Sequence, residues 1–326
     1  MSGNARRKLA SPTLAMLPRV ADSLSFLYAE AVRIVQDDTG VCAQVATAKG
    51  TDRVYLPTAS LACILLGPGT SITQPAMTTI ARHGTTLVCV GAGGVRSYAG
   101  IVPSSLTTTW LEKQVRAWAD DDLRLQVAVR MYEMRFGRSS APAGATLAQL
   151  RGLEGQRIKA LYRMMATKYR IKRFTRSYDP DSWDDQDPVN KALSGANACM
   201  YGVVHAAVLA LGCSPALGFI HSGTQMAFVY DVADLYKARI TIPMAFSLHA
   251  SPDPEREARR RLRDEFRAFK LMPQIVTDIQ TLLDPDSTDA KAGDRTADLV
   301  HLWDPDAGAL PAGVNYGYEF IDEPLE

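Results

Sequence analysis

The amino-acid sequence predicts an α+β protein of two domains, a small β-rich domain over residues 19–104 and a larger all-α domain over residues 105–283. Three observations carry this. Short apolar and β-branched segments crowd the first hundred residues between turn formers. Apolar residues then recur at helical spacing from about Ser105. At Asp284 the composition changes again and an acidic C-terminal tail, residues 284–326, begins. A chain of 326 residues suits two units, since one domain takes roughly 100–200 residues.

Residues 1–18 read as a leader. Arg6, Arg7 and Lys8 precede an apolar stretch that is short and interrupted by Ser11, Pro12 and Pro18, a poor match to a signal peptide. The strand candidates are Ala31–Val35, Val41–Ala46, Arg53–Leu56, Leu61–Leu66 and Thr86–Val90. Turn formers separate them at Asp37-Asp38-Thr39-Gly40, Gly67-Pro68-Gly69 and Gly91-Ala92-Gly93-Gly94. One short helix intervenes, with Pro75 near its start and Gly84 just past its end.

In the second domain Leu111, Val115, Trp118, Leu125, Val129, Tyr132 and Phe136 share one helical face, and Gly137 stops that helix. Arg138–Ala145 is a Ser/Pro/Gly loop. Thr146 with Gln149 forms a capping box that opens the next helix, which runs to about Tyr169. Asp187-Pro188 opens a third, ending near Gly212, and a fourth begins near Gln225. Asp253–Leu283 is long and charge-laced, with Pro273 expected to bend or break it. The Asp-, Ala-, Gly- and Pro-rich tail is expected to be mobile unless it docks on a partner.

Composition excludes several classes. No apolar run approaches the ~20 residues needed to cross a bilayer, so no membrane association is expected. Cys42, Cys63, Cys89, Cys199 and Cys213 lack metal-ligand spacing and read as reduced core thiols of a cytoplasmic protein. The net charge of +1 hides an asymmetry. From Asp284 onward there are eleven acidic and two basic residues, leaving 34 basic and 24 acidic before it. A basic body suits a polyanion partner, although a solvated basic surface gives the same count.

Two clusters carry chemistry. Glu154 falls on the stripe of Leu147, Leu150, Leu161 and Met165, between Gly152 and Gly155, each of which costs a helix about 1 kcal/mol relative to Ala. Small residues beside an inward carboxylate let something approach the helix; alternatively, Arg151 or Arg157 simply neutralises a half-exposed glutamate. His221 ends the apolar run Leu217–Ile220, and ten residues on Asp231 and Asp234 stand at i, i+3 on one helical face. Taken singly, these are a core histidine and a cap or surface pair. Together, in apolar surroundings, they point to a metal site, because two buried like charges are costly without a cation. Carboxylates with one imidazole suit Mg²⁺ or Mn²⁺, which would activate a nucleophile on a phosphodiester. A GxSxG elbow is absent, so Ser222 is not read as a nucleophile. Arg163, Lys168, Arg170, Lys172, Arg173 and Arg176 offer a phosphate track. Arg259 and Arg263, among the arginines of the last long helix, offer a second, equally readable as a salt-bridged surface.

Four runs then carry a resemblance: Glu133-Met134-Arg135-Phe136-Gly137, Leu150-Arg151-Gly152-Leu153-Glu154-Gly155, Gly218-Phe219-Ile220-His221-Ser222-Gly223 and Phe228-Val229-Tyr230-Asp231-Val232-Ala233-Asp234. In this order the chain resembles the CRISPR-associated Cas1 integrases of the type I-E subgroup, over residues 19 to about 270. The resemblance implies an enzyme of antiviral defence, an Mg/Mn-dependent DNA endonuclease and integrase whose all-α domain is catalytic. It would join the 3′-hydroxyl ends of captured protospacer DNA to the CRISPR leader-repeat, as a homodimer assembled with the small partner Cas2. The alternative is a metal-dependent nuclease of branched DNA in repair. Glu154, His221 and Asp234 match the family's metal ligands, with Asp231 a supporting acid in the catalytic set. Tyr178, Tyr201 and Tyr230 match positions contacting the motif end of the captured DNA, where aromatic faces stack on unpaired bases. Tyr28 matches a ring bracing the duplex end, and Arg96 a basic residue that supports activity. Ala92 stands where relatives often carry an acid, and Thr224 or Gln225 where some carry a lysine.

Overall fold

The computed structural model describes residues 13–16, 26–47, 50–92, 96–104, 106–177, 186–267, 271–285, 299–304 and 308–314. A β-rich region comes first: β1 (Thr13–Met16), β2 (Phe26–Glu30), β3 (Arg33–Asp37), β4 (Gly40–Thr47), β5 (Gly50–Tyr55), β6 (Cys63–Leu66), β7 (Ser71–Ile72), α1 (Gln74–Arg82), β8 (Thr86–Val90) and β9 (Ser97–Ile101). A helical region follows: α2 (Thr109–Ala119), α3 (Asp121–Phe136), α4 (Leu147–Lys168), α5 (Pro188–Ala210), α6 (Ala227–Lys237), α7 (Thr241–Ser247), α8 (Pro254–Arg267) and α9 (Leu271–Leu283). Two further strands, β10 (Leu299–Asp304) and β11 (Gly308–Val314), lie in the tail.

The central strands β2, β6 and β8 run parallel in a five-stranded sheet, with β1 and β9 antiparallel at its edges. Alternate side chains of a strand point to opposite faces. Phe26, Tyr28, Cys63, Leu65, Val88 and Val90 enter the large core shared with the helices. Leu27, Ala29, Ile64 and Leu87 enter a second core with Ile34, Val41 and Ala43 of the sheet β5-β4-β3-β7 and with Ala76 and Ile80 of α1. Burial on both faces explains why these strands read as continuous apolar runs rather than as alternating ones.

Helix α5 is the hub, packed by α6, α7, α8, α9 and by β6, β8 and β9. Asp187 caps it by accepting from Asn190 N at 3.0 Å, and Pro188 fills its first turn. Two of its glycines are required by close neighbours: a Cβ at Gly195 would meet Glu255 Cγ at 2.9 Å, and one at Gly202 would meet Arg96 N at 2.4 Å. Although it holds no unbroken apolar run of that length, α5 is long and apolar enough to cross a membrane by length and mean composition, alone among the described residues. Its most apolar window is 72% buried inside the protein, however, as in a core helix.

Other differences have local causes. The helix expected to span Leu111 to Phe136 is two helices, because Asp120 adopts an extended backbone and its carboxylate accepts from Leu123 N at 2.9 Å, starting α3 afresh. The segment Asp253–Leu283 is divided as expected, into α8 and α9, and Pro273 sits in the first turn of α9, where its missing N–H costs no helical bond. Thr13–Met16 of the supposed leader pair with β2, from Thr13↔Glu30 to Met16↔Leu27. In the tail, β10 and β11 pair antiparallel, where no regular structure was expected. All five cysteines are free thiols and four are buried, Cys89 being exposed; burial pushes the Cys213 thiol up to about 12.

Candidate active site

Three helices and one loop converge on a cleft. Helix α3 delivers Arg135 in its last turn, just before Gly137 ends it at φ +106°. The capping box of Thr146 and Gln149 sets the start of α4, so that Leu150 is buried in a small core with Tyr132 and Glu154 stands one turn beyond it. The loop Leu217–Met226 carries His221, and α6 carries Asp231 and Asp234. Glu154, His221, Asp231, Asp234 and Arg135 all line this cleft, together with apolar Met131, Leu150, Ile220 and Leu235.

Asp231 and Asp234 share a helical face but do different work. The Asp231 carboxylate is completely buried. Its Oδ2 accepts from Phe219 N at 2.6 Å and Ile220 N at 3.0 Å, and its Oδ1 accepts from His221 N at 2.9 Å and meets His221 Nδ1 at 2.7 Å. Those four donors use the capacity of a carboxylate. In this structure Asp231 acts on the loop and on His221, which it positions, in keeping with a supporting rather than a ligand role. With Nδ1 directed at Asp231, the neutral imidazole presents Nε2 to the cleft as an acceptor. The same hydrogen bond raises the His221 pKa, against burial, which lowers it; the charge of Asp231 adds to the rise. Gly218 makes the loop possible, since a Cβ there would meet His221 O at 2.5 Å and Ala227 C at 2.8 Å.

On the other side of the cleft Arg135, almost fully buried, ion-pairs with Glu154 through Nη1, which also lies 3.6 Å from Asp234 Oδ2. Lys237, one turn beyond Asp234, brings Nζ to 2.5 Å from Asp234 Oδ1 and donates to Tyr201 OH at 2.7 Å. Burial works to lower the Lys237 pKa, but the charge of Asp234 and the hydrogen bond to Tyr201 raise it on balance. The Lys237–Asp234 contact is close but poorly aligned for a hydrogen bond, so Asp234 Oδ1 is buried with an ionic partner and without a well-formed hydrogen bond. Among the described residues no three acidic, histidine or cysteine side chains are drawn together as a ready metal cage; side-chain cations stand at the carboxylates instead. The donor set of two carboxylates and one imidazole nitrogen, with one carboxylate oxygen short of a hydrogen bond, nevertheless fits a hard divalent ion. Glu154, Asp234 and His221 Nε2 are the groups that would hold it.

A larger open hollow adjoins the cleft, lined by Arg176, Ser194, Asn197, Tyr201, Tyr230 and Lys237, and His221 borders both spaces. Tyr201 and Tyr230 meet edge to face at 4.8 Å, and Tyr230 stands edge-on to His221 at 5.8 Å. Arg176 is anchored here, donating to Asn190 Oδ1 at 2.8 Å and Ser194 Oγ at 3.2 Å. Arg173 is exposed. Arg96, with φ +64°, rests its backbone on Gly202. Its charge is felt by Arg259, which burial chiefly holds below its ordinary pKa and which pairs with Glu255. Tyr178 and the side chain of Arg263 lie outside the described residues. Tyr28 is buried in the main core and donates to Glu30, so it offers no ring to a duplex end. Sequence reasoning assigned no role to Arg135 or Lys237. Lys237 was legible as the i+3 partner of Asp234; Arg135, inside an apolar stripe, gave no periodic signal.

The family model for CRISPR associated protein Cas1 matches residues 130–256, a span that contains Arg135, Glu154, His221, Asp231 and Asp234. A curated relative from Clostridium sp. (strain SY8519), a CRISPR-associated endonuclease Cas1, is 39% identical over 311 residues, covering 94% of this chain and 100% of the relative. The solved structure of a TtCas1–DNA complex superposes with a TM-score of 0.73 at 39% identity, covering 82% of this chain and 99% of that one. A casposase bound to integration product shares the fold at a TM-score of 0.58 and 13% identity, covering 83% of this chain and 99% of that one.

Proposed function

Because the chain belongs to the CRISPR-associated Cas1 family, we propose that it joins captured DNA to a CRISPR repeat by metal-dependent transesterification at Glu154, His221 and Asp234. One observation carries the reading: residues far apart in sequence converge with His221 Nε2 left available, because Asp231 occupies Nδ1. When bound, Mg²⁺ or Mn²⁺ would supply Lewis-acid stabilisation of charge on the phosphate. The protein's own groups bind and orient. Lys237, kept charged by Asp234, lines the open hollow beside the carboxylates and would add positive charge for a phosphate bound there. In the joining step a 3′-oxygen bonds to phosphorus and gives up its proton, the bond to the leaving 3′-oxygen breaks, and that oxygen takes a proton. The number of phosphodiester bonds is conserved.

The open hollow with Tyr201, Tyr230 and Arg176 suits an unpaired DNA end, aromatic faces for bases and a guanidinium for phosphate. Gly152 and Gly155 are exposed, and a Cβ at either would meet nothing of the protein within 4 Å, which leaves α4 open to close approach by a DNA backbone. The TtCas1 structure bound to DNA supports DNA as the ligand of this fold. Self-association as a homodimer is supported by exposed Tyr98 and Ile101 on the edge strand β9 and by Val102 just beyond it; assembly with Cas2 and the type I-E subgroup belong to the same reading. An integration assay on repeat-bearing plasmid in Mg²⁺ or Mn²⁺, with and without Cas2, tests it. Glu154→Ala and His221→Ala are expected to abolish joining while the protein stays folded, and undiminished joining by either would falsify the assignment.

A further inference from the structure

Arg135 is not held like a structural arginine. Among the described residues its side chain makes one hydrogen bond, to Glu154, while Nη1 also approaches Asp234 Oδ2 at 3.6 Å. Its Nε–H is buried and has no acceptor. The guanidinium carbon lies 5.2 Å from the Phe136 ring centroid, a weak further hold. A buried guanidinium with unused donors is kept in place by charge rather than by a full set of hydrogen bonds, and a denser charge at the same spot displaces it. Its mounting allows movement, because Arg135 is the last residue but one of α3 and Gly137 follows at φ +106°. Lys237 differs: its ammonium is buried and anchored a second time on Tyr201.

We propose that Arg135 is a built-in competitor for the cation of this site: its guanidinium holds Glu154 and Asp234 together until a divalent ion takes its place, and so sets how much free metal the enzyme needs. The inference rests on the metal reading of Glu154, His221 and Asp234. Apparent affinity falls by the fraction of molecules in the binding-competent state. If the guanidinium stands aside in about one molecule in ten, its removal tightens binding about tenfold.

The test is a Mn²⁺ titration of the full-length chain, followed by loss of the free-ion electron paramagnetic resonance signal. Arg135→Met is expected to bind Mn²⁺ about tenfold more tightly than the unsubstituted chain, to melt at a lower temperature without metal, and to gain more melting temperature from Mn²⁺. Arg135→Lys keeps the charge but cannot span both carboxylates. It is expected to bind more tightly than the parent, whereas simple charge repulsion would leave it equal to the parent. Should Arg135→Met fail to fold, Arg135→Lys and the ¹⁵N resonance of Arg135 Nε in the parent decide, that resonance shifting on addition of Mg²⁺. Parent-like or weaker binding by a folded variant, or an Arg135 resonance indifferent to Mg²⁺ that binds, overturns the competitor alone. Absence of Mn²⁺ binding in parent and variants overturns the metal reading and this inference with it.

Discussion

On the His221 side of the cleft, Asp231 meets three backbone N–H groups and an imidazole nitrogen, and no acceptor position is left over. On the Glu154 side, two carboxylates lean on one guanidinium whose Nε–H is unpaired, and Asp234 Oδ1 lacks a well-formed hydrogen bond. Each side has one nearly buried group, Asp231 on the first and Arg135 on the second, and both depend on a carboxylate of α6. The difference is in how completely the polar groups are satisfied. A saturated network has one arrangement and serves to aim a ligand; an unsaturated one is costly as it stands and has something to gain from a new partner. A preorganised wall thus faces an exchangeable one.

The sharpest way to break this contrast is to remove a carboxylate from each side. Asp231→Ala orphans three backbone donors, one buried and two part-buried; at about 1–3 kcal/mol for a buried donor and less for the others, a loss of several kcal/mol, at least about 3, in unfolding free energy is expected. Glu154→Ala removes one charged hydrogen bond, for about 1.5–3 kcal/mol. Urea denaturation of the two variants should separate them clearly, and equal losses would erase the distinction between the walls.

A single kind of substitution probes the two sides next, with opposite signs. Gly218→Ala forces a methyl group into His221 O and the Ala227 backbone, and overpacking of this kind costs about 1–3 kcal/mol. Gly152→Ala meets open space on an exposed helix, where Ala is favoured by about 0.5–1 kcal/mol. Thermal melting should move down for the first and up for the second, while DNA binding weakens in the second if a backbone does approach α4.

Proton linkage gives the smallest effect. The His221 pKa is raised in the folded state, mainly by its hydrogen bond to Asp231. Its contribution to stability is therefore full below the ordinary histidine value of 6.5 and disappears as pH rises through the raised folded value. The melting-temperature difference between the parent and His221→Asn should shrink across that window, while joining activity, which needs the neutral ring, rises across it. A difference independent of pH would detach His221 from Asp231.

Local signals in the sequence were legible where one short stretch decides the outcome. Thr146 and Gln149 form the capping box they spell, Asp187 caps α5, and Gly137 ends α3. The β-rich start and helical continuation follow from period and turn residues. What was hidden is long-range. The parallel order of β2, β6 and β8 is set by pairing partners tens of residues apart, and Asp120 interrupts a helix without interrupting the apolar stripe. The site divides in the same way. The i, i+3 spacing put Asp231 and Asp234 on one face, but like-charge reasoning paired them with one cation, when each answers to different donors. Only the folded loop shows Asp231 spent on backbone amides.

Helix α5 has a consequence for how the chain is made. Its buried faces are covered by β6, β8 and β9, which leave the ribosome before it, and by α6 to α9, which leave after it. Between those moments a segment with the length and apolarity of a membrane span waits for its wrapping. Synthesis that halts before α8 and α9 emerge would release a product with apolar surface of α5 uncovered, of the kind that aggregates or engages chaperones. The last third of the chain is, in that sense, what completes the covering of this helix.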